Sequence, residues 1–187
     1  MSNSDKIILD LCGGTGSWSK PYRDAGYDVI LVTLPDNDVR TYLPPQNVYG
    51  ILAAPPCTEF SLAKRDAVRD FRKGMECVIA CLNVIWQCRY TNKLQFWALE
   101  NPKGFLRQFL GKPAFTFEQW QFGDEWIKPT DLWGYFNIPK GTVKNRPDNL
   151  MHRYPGGKLN SKKWSTSAKN RAITPPGFAE AFFKANR

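Results

Sequence analysis

Three stretches of this chain break regular secondary structure, and each follows directly on a short apolar run. KIILDL (Lys6 to Leu11) ends in Cys12-Gly13-Gly14-Thr15-Gly16, VYGILAA (Val48 to Ala54) ends in Pro55-Pro56-Cys57, and LQFWAL (Leu94 to Leu99) ends in Glu100-Asn101-Pro102. A brief apolar run closed by glycine or proline is the pattern of a buried strand meeting a turn. Between the second and third runs, Met75, Val78, Ile79, Leu82, Ile85 and Trp86 recur at threes and fours, which predicts an amphipathic helix with that stripe facing the core. Strands alternating with helices predict a parallel sheet covered on its faces. In such sheets ligands sit outside the carboxyl ends of the strands. All three unusual stretches fall there, so one site is expected to draw on all of them.

The remaining elements fit the same architecture. Ser17 to Ala25 predicts a first helix that starts near or after Ser19, because Pro21 suits a first turn, and Gly26 stops it. DVILVTL (Asp28 to Leu34) predicts a second buried strand closed by Pro35, and Asp36 to Gln46 is turn-rich. From Phe115 onward aromatic residues are frequent and helical periodicity fades. A chain of 187 residues supports one domain with a sizeable core. The expected division is a catalytic core over 1–136, a small irregular basic region over 137–170, and a segment over 171–187 that returns to the core.

Charge narrows the choice of partner. Lys and Arg number 26 against 17 Asp and Glu, a formal net charge of +9, which favours a polyanion. Between Lys140 and Arg171 nine Lys or Arg stand against one Asp. Nucleic acid is preferred over membrane, since no basic amphipathic helix appears and no apolar run approaches the ~18–20 residues that span a bilayer. The short polar start, Met1 to Asp5, is not followed by a signal-type apolar segment, so a cytoplasmic location is expected. Five cysteines (Cys12, Cys57, Cys77, Cys81, Cys88) are then read as thiols, with Cys81 and Cys88 as core residues. No metal is expected, because the one histidine, His152, has no paired ligand spacing around it.

The glycine turn from Asp10 through Leu11, Cys12, Gly13, Gly14 and Thr15 to Gly16 puts small residues where backbone must approach a ligand closely. It lacks the lysine of a phosphate-binding loop and the spacing of the dinucleotide fingerprint, so it suits a nucleoside ligand poor in phosphate. Asp38 is either an acceptor for an adenine amino group or simply a turn aspartate. At the second strand end, two prolines stiffen the backbone and hold the Cys57 thiol in one direction. A cysteine with a pKa near ~8.5 is only a few per cent thiolate at neutral pH, so a nucleophile needs local help; Lys64, Arg65 and Arg69 lie close by in sequence. Glu100, held in a dry pocket, would keep its proton and donate it to a ring nitrogen.

DLCGGTG, APPCTEFS and LENP, in that order, resemble the DNA cytosine-C5 methyltransferases. FGDEWIKPTDLWG and NRAITPPGFAEAF are similar to two later segments of that family. The resemblance implies a doubly wound, mainly parallel, Rossmann-like α/β fold. It also implies S-adenosyl-L-methionine at Asp10 to Gly16, with Asp38, Pro55 and Asn170 completing the cofactor site. Cys57 would attack C6 of cytosine while Glu100 protonates N3, making C5 nucleophilic toward the methyl group. Asn101 would position Glu100 or the loop, and Lys128 and Thr130, standing where the family has two arginines, would contact the base. The base is reached by flipping it out of the stack.

Two departures are informative. Thr33-Leu34 ends the second strand where the family has an acidic residue, and so little chain separates it from Asp38 that a helix and strand are expected to be lost or rerouted. Only Asn137 to Arg171 is available for reading DNA, where one module buries roughly 600–1,000 Å². Low sequence selectivity follows, with Lys140, Lys144, Arg146, Lys162, Lys163 and Lys169 on phosphates and Trp164 stacking. The readings left open are duplex or single-stranded DNA, the same chemistry on RNA or a mononucleotide, and a non-catalytic binding protein on this fold. The sequence leaves the oligomeric state open.

Overall fold

The computed structural model describes residues 2–64, 67–91, 94–124, 126–148, 150–152 and 173–187. In chain order the elements are β1 (Ile7–Leu11), α1 (Lys20–Asp24), β2 (Asp28–Val32), β3 (Val48–Ala53), α2 (Phe71–Thr91), β4 (Phe96–Pro102), α3 (Arg107–Leu110), β5 (Phe115–Phe117), β6 (Trp126–Ile127), β7 (Thr130–Tyr135), β8 (Met151–His152) and α4 (Pro176–Ala185). Six strands form one sheet in the order β2-β1-β3-β4-β7-β5, and β6 pairs with β8 separately. The pairs among β2, β1, β3 and β4 are parallel, whereas β7 runs antiparallel to both β4 and β5. The fold is therefore α/β with a mixed sheet.

Alternation along the strands divides the interior in two. On one face Leu9, Leu11, Ile51, Ala53 and Leu99 pack against Val78, Cys81, Val84, Ile85 and Cys88 of α2. On the other, Ile8, Leu52, Phe96, Ala98 and Leu132 pack against Trp18, Tyr22 and the α4 residues Phe178, Ala179 and Phe182. Helices thus cover both faces, an arrangement consistent with a Rossmann-like fold. The second core is held by rings: Phe117 stacks on Phe178 at 4.1 Å, and Trp18 meets Phe182 edge-on at 5.4 Å. Ordering these rings buries apolar area that outweighs the rotamer entropy lost.

Local chemistry explains the boundaries. β1 stops where Cys12 takes a positive φ of 56°, followed by Gly14 at 56° and Gly16 at 68°. α1 begins at Lys20 with Pro21 in its first turn, as expected. α2 starts after Asp70, whose Oδ1 accepts the Lys73 backbone N–H at 2.9 Å and so satisfies one of the helix's orphan donors. Gly134 lets β7 lie against β4, because a Cβ there would collide with the Trp97 carbonyl.

Three expectations change. The buried stripe of α2 runs through Val78, Cys81, Ile85 and Cys88, while Ile79 and Trp86 face outward, 51% and 44% exposed. Cys81 and Cys88, read as core residues, are both fully buried there, so the helix is rotated toward them and away from Ile79 and Trp86. β4 continues through Glu100, Asn101 and Pro102 rather than ending at Leu99, because β7 pairs with it along that whole length. The sheet expected to be mainly parallel is mixed: β5 and β7, where helical periodicity has faded, add two antiparallel pairs to the three parallel ones.

Among the described residues, no helix is long and apolar enough to cross a membrane. No group of three or more His, Cys, Asp or Glu among them is placed to hold a metal ion.

Candidate functional site

β1, β3 and β4 are consecutive neighbours and run parallel, so the glycine turn, the Pro-Pro-Cys turn and the Glu-Asn-Pro stretch open side by side at one edge of the sheet. The Ala54 N–H donates to the Leu11 carbonyl at 2.9 Å, which extends the β1–β3 ladder to the mouth of both turns. Asp10, Leu52 and Ala98 lie in one row across the three strands, and Glu100 stands two residues further along β4 on the same face. The sheet thus aims two carboxylates, Asp10 and Glu100, into one region.

Asp10 is fully buried. The Ser19 hydroxyl donates to its Oδ2 at 2.5 Å, while Oδ1 has no hydrogen-bond partner among the described residues. Burial pushes the Asp10 carboxyl up to about 6, against the lowering effect of Ser19 and Arg23. Gly13 is glycine of necessity, since a Cβ there would collide with the Asp10 carboxylate; above Gly14 the space is open. The turn therefore combines a close-approach backbone with a buried acceptor oxygen that lacks a donor. Leu11 is a core residue, Gly16 is buried, and Gly14 and Thr15 form the exposed tip.

Cys12 is drawn into a group of thiols not anticipated from its place in the turn. Its Sγ lies 4.0 Å from that of Cys81, and Cys77 stands one helical turn before Cys81. The hydrogen bond between Cys12 and Cys81 pulls the Cys12 thiol down and pushes Cys81 up. None of the five cysteines is in a disulfide. The i, i+4 spacing of Cys77 and Cys81 was the available signal, but sequence alone does not say what faces such a pair.

Cys57 is partly exposed at the start of its turn. Its carbonyl accepts the N–H groups of Phe60 and Ser61 at 3.0 and 2.8 Å, which sets the turn directly behind the thiol. The turn is then fastened to the chain after β4. Ser61 bridges Gly104, the Phe105 N–H donates to the Phe60 carbonyl at 2.9 Å, and the buried Asn101 amide donates to the Pro55 carbonyl at 3.1 Å. Asn101 is the direct tie between the thiol-bearing turn and the carboxylate-bearing strand. Pro55, buried, belongs to this tie.

Glu100 sits in a nearly closed setting, 18% exposed, and burial raises its pKa from its ordinary value. The Lys128 ammonium, 3.8 Å from Glu100 Oε1, opposes that rise, and Asp131 reinforces it. Asp131 is itself buried and held by Arg107, at 2.5 and 2.6 Å, and by Thr116 at 2.7 Å. Thr130 is placed near Glu100 by the β4–β7 register, but its hydroxyl donates to the Lys128 carbonyl at 2.9 Å. A carboxylic acid whose pKa is raised by burial, on a strand tied to a thiol-bearing turn, has the makings of a proton donor set with a nucleophile.

Other sequence candidates are placed differently. The Asp38 carboxylate is engaged by the Arg40 backbone and guanidinium at 2.6 to 3.0 Å, and this pairing lowers its pKa to about 2. Lys64 pairs with Glu59 at 2.5 Å, and Arg69 donates to the Glu59 and Lys64 carbonyls, so both serve the turn's own structure. Arg65, Asn170 and the basic residues Lys162, Lys163 and Lys169 with Trp164 lie outside the described residues. No protein-family model matches the chain, and no curated protein matches it either.

Proposed function

We propose that this chain methylates C5 of cytosine in DNA, with S-adenosyl-L-methionine as the methyl source. The observation that carries the reading is the Asn101-to-Pro55 hydrogen bond, which fastens the Cys57 turn to the strand that carries Glu100, whose pKa burial raises. The resemblance of DLCGGTG, APPCTEFS and LENP to the cytosine-C5 methyltransferases supports it. A nucleoside-bearing sulfonium suits the glycine turn in two respects: open space above Gly14, and the undonated oxygen of Asp10, which fits an ammonium, hydroxyl or amino donor. When bound, that cofactor supplies an electrophilic methyl group.

The chain's own residues do the rest. The Cys57 thiolate adds to C6 of the flipped cytosine as Glu100 gives its proton to N3, so the ring becomes an enamine with its electron pair at C5. After the methyl group is taken up at C5, loss of the C5 proton to a base drives out the Cys57 sulfur, and the N3 proton returns to Glu100. The net +9 charge supplies attraction to a polyanion.

The test is transfer of labelled methyl from the cofactor to duplex DNA, single-stranded DNA, RNA and dCMP. Label recovered as 5-methylcytosine from DNA is the expected result. Label in RNA or dCMP alone keeps the chemistry and replaces the substrate; binding of the cofactor with no label anywhere would overturn the reading.

Lys128 provides a finer test. Its charge opposes the burial that raises the Glu100 pKa. Lys128→Met is expected to raise the Glu100 pKa further and so move the alkaline limb of the rate profile to higher pH. A limb that stays where it is means that Glu100 is not the group whose ionisation limits the rate.

A further inference from the structure

The far end of the sheet carries a second cluster that the site does not use. Trp97 and Tyr135 are paired across β4 and β7, which puts their rings on the α2 side of the sheet. Trp86 of α2 lies 6.4 Å from Trp97 and 6.1 Å from Tyr90 between ring centroids. The Arg89 guanidinium sits over both Trp86, at 5.6 Å, and Tyr135, at 5.9 Å. Tyr90 is 85% exposed, Tyr135 65% and Trp86 44%. At about 3.3 Å per strand residue, Tyr135 is roughly 15–20 Å along β7 from Thr130 and the Glu100 end.

Charge and neighbours indicate what such a surface takes. From Cys77 to Thr91, α2 carries no carboxylate, and none follows Asp131 in β7. Asn83, Trp86, Gln87 and Tyr90 share one helical face, so the rings are flanked by exposed amides. Exposed rings offer a π-face to any base, a guanidinium offers charge to a phosphate, and amides bond base edges. A second copy of this chain is a poorer occupant, because two-fold pairing on this face would bring Arg89 against Arg89 on molecules that each carry +9. Bases inside a duplex are already stacked, so an aromatic platform selects the unpaired strand.

We propose that Trp86, Arg89, Tyr90 and Tyr135 form a binding surface for single-stranded nucleic acid, separate from the Cys57 site. The inference does not rest on methyl transfer: a chain inactive on every cytosine substrate would still bind a strand here.

The test uses the full chain with Cys57→Ala as the reference protein, fluorescein-labelled dT20 as the single strand and a 20-base-pair duplex as the comparison. Tyr90→Ala, at a largely exposed ring, and the double variant Trp86→Ala/Tyr90→Ala are expected to weaken dT20 binding by about 5-fold and 10- to 100-fold, the range of one to two lost stacks. Trp86→Phe should restore most of what Trp86→Ala loses, and Arg89→Gln should flatten the salt dependence of dT20 binding. Duplex affinity should change less than twofold. Unchanged dT20 binding in folded Tyr90→Ala and Trp86→Phe/Tyr90→Ala proteins would overturn the proposal. So would sedimentation showing a dimer or a protein partner that these variants release while dT20 binding is unaffected.

Discussion

Cys57→Ala is expected to abolish methyl transfer to cytosine, and Glu100→Gln to slow it by about 10²- to 10⁴-fold, the usual contribution of a positioned proton donor. Neither change should prevent cofactor binding, because the glycine turn stands on a different strand from either residue. The two losses are distinguishable. Alanine removes the nucleophile, so DNA carrying 5-fluorocytosine should no longer be captured as a covalent complex. Glutamine leaves the thiol in place but cannot protonate N3, so capture should slow without vanishing. Methylation persisting in Cys57→Ala would sink the covalent route, whatever the fate of the cofactor.

Asp10→Asn should make the protein more stable and less able to bind its nucleoside ligand. The native carboxyl titrates at about 6 against an ordinary 3.8, because burial disfavours its charge. Native Asp10 therefore keeps a proton that the unfolded chain has released, and its contribution to stability, full below pH 4, is lost as pH rises through 6. A displacement of that size corresponds to about 3 kcal/mol at pH 8. Asparagine is the neutral isostere and can still accept from Ser19, so the variant should match wild type at pH 4. At pH 8 it should exceed wild type by about 3 kcal/mol, a rise in Tm of roughly 6–12 °C for a chain of this size. Cofactor affinity should fall by about 10-fold or more, because an amide N–H₂ replaces the acceptor oxygen that has no donor among the described residues. Equal stability at pH 8 would mean that solvent reaches Asp10; retained affinity would mean that its Oδ1 faces no ligand donor.

The sequence exposed the parts of this molecule that depend on contiguous residues. Ile7 to Leu11 is apolar apart from Asp10 because β1 is covered on both faces, and Cys12, Gly14 and Gly16 break it because the chain there needs positive φ. Partnerships between distant segments were harder to read. The hydrophobic repeat of α2 located the helix but not its rotation, which depends on which of its side chains meet β1, β3 and β4 across the core. Asp38 could be read as an adenine acceptor or as a plain turn residue, and its bond to Arg40 two residues on was a local choice among several. Asn101 was singled out as a positioning residue, yet its partner, a carbonyl 46 positions earlier, follows only from β3 and β4 being neighbours. The aromatic cluster around Arg89 had no sequence signature at all, since its members come from α2, β4 and β7.

The second core has a bearing on how the chain acquires its fold. Trp18 and Tyr22 wait for Phe178 and Phe182, and the Tyr22 hydroxyl donates to the Asn186 carbonyl, 164 residues away. Contacts that distant in sequence form slowly. During synthesis, at roughly 5–20 residues per second, the α4-facing side of the sheet stays bare for about 10–30 s after the first helix has emerged. A ribosome stalled before α4 would therefore hold a sheet wet on one face, with Ile8, Leu52 and Ala98 open to whatever chaperone reaches them first.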